Sequence, residues 1–146
     1  MKKIAAALLL CLLSITAYSA ETIPATKDEN IRVLDLVVGI KQTYSKASEL
    51  EAKVIELLAG DGMNPTRMVL VLGTGNPMEE NRLFELGEMM YEVTRVTFTD
   101  IDEILINYTQ DNFDENDNTI QVKKSMKIKV LRNADRTLTG EIQILK

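Results

Sequence analysis

Apolar positions along the chain change period near its middle. In the first half they recur at Val33, Val37, Ile40, Tyr44, Ala47, Val54 and Leu58. Steps of three and four hold such residues on one face of an α-helix. Thr26 with Glu29 would open that helix as a capping box, and Gly60 and Gly62 would stop it. Ser48 with Glu51 offers a second start, so a break near residues 45–48 is compatible with the pattern. Two Asn-Pro pairs follow, Asn64-Pro65 and Asn76-Pro77. Asparagine suits an N-cap and proline the first helical position. The second pair precedes Leu83, Phe84, Leu86, Gly87 and Met90, spaced as an amphipathic helix. The first precedes the apolar run 68–72, which fits a buried helix or a buried strand. Its cap tilts the reading narrowly to helix.

From about Tyr91 the period falls to two. Val93, Val96 and Phe98 mark a strand with one irregular step, and Ile104, Ile106 and Tyr108 mark a second. Ile120, Val122, Met126, Ile128 and Val130 mark a third, interrupted only by Lys124. Leu138, Ile142 and Ile144 mark a fourth. The linkers DNFDENDN and NADR have turn composition. The predicted fold is therefore α+β: a long N-terminal helix plus one or two short helices packed on a four-stranded antiparallel β-meander. The helical part would cover residues 28–90 and the meander 91–146, as one domain behind a flexible leader, 21–27.

The first twenty residues change the picture of where the chain works. Lys2 and Lys3 precede an unbroken apolar run, residues 4–13, and Ala17, Ser19 and Ala20 close the segment. This is the layout of a secretory signal peptide cleaved after Ser19 or Ala20, which makes residues 1–20 a targeting segment. The uncharged stretch is short for a membrane span. Cys11 follows three leucines, not the small residues of a lipid-attachment signal. The expected location is periplasmic or secreted. Cleavage would remove the single cysteine and two lysines while leaving all 22 acids, so the processed chain is more acidic than the −5 of the whole. It would hold one core without a disulfide.

Chemistry is limited by what is missing. The chain has no histidine, which removes Ser-His and Cys-His pairs, and the usual zinc ligands are lacking once Cys11 is gone. Ser45, Ser48 and Ser125 lie in no S-x-x-K frame. The Gly73-Thr74-Gly75 loop has Met78 where a dinucleotide fingerprint needs its third glycine, and Glu79 and Glu80 follow at once. Asp100, Asp102 and Glu103 could serve a carboxylate-dependent cell-wall glycan hydrolase, but clustered acids at a strand start more often form a solvated turn. The oxygen-rich stretch 111–118 fits an EF-hand frame from Asp114 through Asn116 and Asn118. It fails at Thr119 and Ser125, which leaves only weak calcium binding open. The methionines read as core filling.

Charge is segregated. Residues 76–117 hold 12 acids and 2 bases, whereas residues 118–146 hold 7 bases and 2 acids. Lys123, Lys127 and Lys129 fall on one face of the third strand, a basic face that either meets acids on a neighbouring strand or binds an anionic partner. Nucleic acid is a poor candidate for an acidic exported chain without interleaved aromatics. By elimination the expected function is a non-catalytic protein-interaction module, such as an inhibitor, immunity-type factor or assembly accessory. It would need no cofactor or metal. A small apolar-ligand carrier is the alternative.

Overall fold

A computed structural model describes residues 20–25, 37–59, 62–74 and 81–145. Among them there is no helix: nine strands form two antiparallel sheets. The expected α+β architecture with a long N-terminal helix is thus corrected to all-β.

The C-terminal half forms the larger sheet. Its strands are β6 (Glu92–Asp100), β7 (Glu103–Phe113), β8 (Thr119–Arg132) and β9 (Leu138–Leu145), each paired with the next. Alternation sends Ile104, Ile106, Met126 and Ile128 to one face, where Ile104 sits opposite Ile128 and Ile106 opposite Met126. A fifth strand, β1 (Ala20–Pro24), pairs with the free side of β9. Most of the segment expected as a loose leader is therefore part of the sheet.

The stretch expected to be helical supplies the smaller sheet, β2 (Val37–Ser45), β3 (Leu50–Leu58), β4 (Thr66–Thr74) and β5 (Arg82–Met90), in that order. Each misreading has a local cause. In β3, Leu50, Ala52 and Val54 alternate inward, but the next inward position is the carboxylate Glu56, which breaks the period-two signal. Its Leu, Ala, Glu and Lys are also good helix formers. β2 shows its apolar residues Val38, Ile40 and Tyr44 to solvent, so their spacing reports no core face. Residues 66–72 are strand rather than helix; Thr66, Met68, Leu70 and Leu72 point inward. In β5 an irregularity in the pairing with β4, with Gly87 at φ 71, separates the buried Phe84 and Leu86 from the buried Met90, which imitates helical spacing. Asn64 caps no helix. The Asn76-Pro77 pair and the Thr26–Glu29 box lie outside the described residues.

Both sheets contribute to one core, in which Leu70, Phe84, Ile106 and Ile128 are fully buried. One residue, Tyr91, separates β5 from β6, so the chain passes directly from one sheet to the other. β2 lies alongside β6, yet no ladder joins them among the described residues.

Three hairpin turns each place one non-glycine residue in the left-handed region: Glu49 (φ 57), Asp117 (φ 60) and Arg136 (φ 69). Aspartate tolerates this conformation better than glutamate does. Exposed Glu49 is the place to relieve it: Glu49→Gly is expected to stabilise the chain by about 0.5 kcal/mol, read as a higher urea midpoint with unchanged slope.

Candidate functional site

The expected basic face is divided by the fold. Lys127 pairs with Glu103, and Lys129 stands opposite the same glutamate in the β7–β8 ladder. Lys123 lines an opening. It does so with Lys124, Arg95, Thr94, Asn107 and Tyr108, around a depression of about 440 Å³ across β6, β7 and β8.

The backbone explains how Arg95 reaches it. Val93 pairs with Tyr108 and Arg95 with Asn107, so Thr94 is an extra residue in β6. This bulge turns Arg95 outward and returns Val96 to the core, which is the irregular step visible in the sequence. The Thr94 hydroxyl donates to the Asn107 carbonyl (3.1 Å) and fixes the bulge. Lys124 interrupts the apolar face of β8 opposite Tyr108, where the strand runs out of the sandwich and is exposed. Among the described residues Arg95, Lys123 and Lys124 have no carboxylate in ion-pair contact. The sequence pointed to a face; the bulge and the interruption were the two signals that would have located the cluster.

A second depression, about 430 Å³, lies at the β2–β6 seam and is lined by Val38, Gly39, Lys41, Glu56, Leu58, Pro65, Thr66, Tyr91 and Glu92. Glu56 is 5% exposed. Burial pushes its carboxyl above the ordinary value and nearby Glu92 adds to this, while the Val93 N–H and the Lys41 charge oppose it. Such a group binds its proton more tightly folded than unfolded. Its favourable contribution is complete below the unfolded pKa and fades as pH rises through the folded one. Glu56→Gln removes that dependence while keeping an oxygen that can accept the Val93 N–H. The stability advantage of the parent over Glu56→Gln is therefore expected to shrink as pH rises above the ordinary carboxyl range, by chemical denaturation at each pH.

The remaining candidates are engaged elsewhere. Asp102 Oδ1 lies 2.8 Å from Arg132 Nε, an ion-pair contact whose N–H direction departs from hydrogen-bond geometry. Glu103 holds Lys127, and Asp100 Oδ1 accepts the Ile101 N–H at 2.7 Å. The hydrolase reading would need two of these acids free on a cleft. Ser45 Oγ accepts the Ser48 N–H (3.4 Å). In the 111–118 loop, Asp114 Oδ1 accepts the Asn116 and Asn118 N–H groups at 2.8 and 2.9 Å, and the Asn118 side chain donates to both of its oxygens. These bonds, the Asn118 amide first, hold the Asp114 carboxyl below its usual range and occupy the oxygens a cation would use. Among the described residues no three acids gather in a metal-binding group. Gly73 and Thr74 close β4, and the rest of that glycine loop lies outside the described residues.

Comparison with protein-family models, with curated proteins and with solved structures finds no match to this chain.

Proposed function

We propose that the chain is an exported, non-catalytic interaction module that docks another protein through an acidic segment seated on Arg95, Lys123 and Lys124. One observation carries this reading: three cations share a depression without acids among the described residues to neutralise them, in a chain whose net charge is −5. A positive patch on an acidic molecule selects by orientation, since the surrounding negative field repels extended polyanions while one acidic segment can still reach the patch. That favours a protein over nucleic acid or an anionic membrane. An inhibitor, immunity-type factor or assembly accessory works in this way, and its location would be periplasmic or secreted. Export draws support from the basic, apolar and small-residue order of residues 2–20.

The test is crosslinking of the tagged chain in its own cells, alongside a Lys123→Glu, Lys124→Glu variant. The expected result is one partner captured by the parent, lost in the variant and weakened by added salt. Capture that ignores the charge reversal, or no capture with the protein monomeric, would overturn the docking site. Intact mass of the purified protein tests export: it should correspond to a chain starting at Ala20 or Glu21.

A further inference from the structure

The seam depression differs chemically from the basic one and stands independently of it. Its carboxylate, Glu56, is buried on the inward face of β3, where the surrounding positions are apolar. It has room because Gly39 is its ladder partner on β2; a Cβ at that position would lie 2.8 Å from Glu56 Oε1. The walls are supplied by Val38, Leu58, Pro65 and Tyr91, and Glu92 adds a second carboxylate. The opening exists because β2 and β6 run alongside each other without a ladder among the described residues.

An ionised carboxylate has about four acceptor positions, and removing it from water is costly unless charged donors replace the lost hydration. The Val93 N–H supplies one donor. Lys41 faces the same depression but makes no ion pair with Glu56 among the described residues, and the Thr66 hydroxyl is already committed to the Met90 and Tyr91 carbonyls at 2.8 and 3.3 Å. The unfilled acceptor capacity and the apolar walls describe a complementary ligand. We infer that the β2–β6 seam binds a ligand carrying a protonated amine on an apolar stem, with the ammonium against Glu56 and the stem against Leu58, Pro65 and Tyr91. Glu92 adds attraction, whereas Lys41 opposes a second cation and limits affinity. Val93, the residue donating to Glu56, is the second residue of β6, just ahead of the Thr94 bulge, so occupancy is reported by backbone amides on both sides of the seam.

The test is a titration of the ¹⁵N-labelled full chain with n-hexylammonium at about pH 8, with n-hexanol and hexanoate as matched probes. Saturable shifts of the Gly39 and Val93 amides are expected with the ammonium alone. Glu56→Gln should weaken the response about tenfold or more, and Lys41→Gln should strengthen it. Equal shifts with hexanol, an unchanged response in Glu56→Gln, or no saturable shift would overturn the proposal. Should Glu56→Gln fail to fold, Lys41→Gln and Glu92→Gln decide it: strengthening by the first and weakening by the second support the site, and any other pair of responses rejects it.

Discussion

Phe84→Ala is expected to lower the stability of the folded chain by about 3–5 kcal/mol, more than any other single truncation in the core. Phe84 is 1% exposed on β5 and belongs to the core cluster shared by both sheets. Its ladder partner is Leu70, itself fully buried, so truncation opens a cavity that β-sheet backbones cannot readily collapse to fill. The cost combines lost transfer energy with that cavity. The urea midpoint should fall by roughly 2 M at unchanged slope. Phe84→Leu, which leaves a smaller void, should recover more than half of the loss. If Phe84→Ala changed the midpoint by no more than a surface substitution, the two-sheet core would be wrong at its centre.

The second large effect is expected at Arg132, with a loss of about 2–3 kcal/mol on replacement by methionine. Its side chain is only 12% exposed and joins three turns at one end of the sandwich. Nη2 donates to the Ser48 carbonyl of the β2–β3 turn at 2.7 Å, and Nη1 donates to the Arg136 carbonyl of the β8–β9 turn at 3.3 Å. Nε faces Asp102 in the β6–β7 turn. Asp102 is about one-third exposed, so water screens that contact, and the Ser48 bond should carry more of the effect. Methionine keeps the apolar stem while deleting every donor. Lysine restores the charge but not the fork, and should recover less than half. A double-mutant cycle with Asp102→Asn separates the ion pair from the backbone bonds; a coupling energy equal to the whole loss would refute this division.

Legibility in the sequence followed the quality of alternation. Strands β6 to β9 could be read directly because Ile104, Ile106, Ile128, Val130 and Ile142 face one way while Glu103, Lys127, Lys129 and Glu141 face the other. The smaller sheet could not. Val69 and Leu57 lie on its outer face, away from Val54 and Leu70, and are nevertheless 2% and 3% exposed, so β4 and the end of β3 are apolar on both faces. A strand apolar on both faces has no period to detect. The turn between β2 and β3 was equally silent, because its left-handed residue is Glu49 where a glycine or asparagine would have announced a hairpin.

The same contrast holds for the sites. Lys123 was visible as a basic position, but Arg95 belongs with it only because a one-residue bulge rotates β6, and nothing local to the lysine strand says so. Asn64 shows the reverse error. Next to a proline it reads as a helix cap, yet its amide group clasps the Asp111 backbone, donating to the carbonyl at 3.0 Å and accepting the N–H at 2.8 Å. One polar side chain can satisfy either a helix start or a distant strand, and sequence proximity does not distinguish them.

The sequence by itself determined the acidic charge, the lack of histidine, and the four-strand meander, since these depend on residue identity or on an alternation that survives in one dimension. Only the tertiary structure decided that residues 37–45, 50–58, 66–74 and 82–90 are strands, that Glu56 lies buried beside Gly39, and which cations line a depression away from the acids. Those outcomes depend on which face of each strand meets the other sheet, and burial between two layers outweighs the sub-kilocalorie helix preferences that the local sequence expresses.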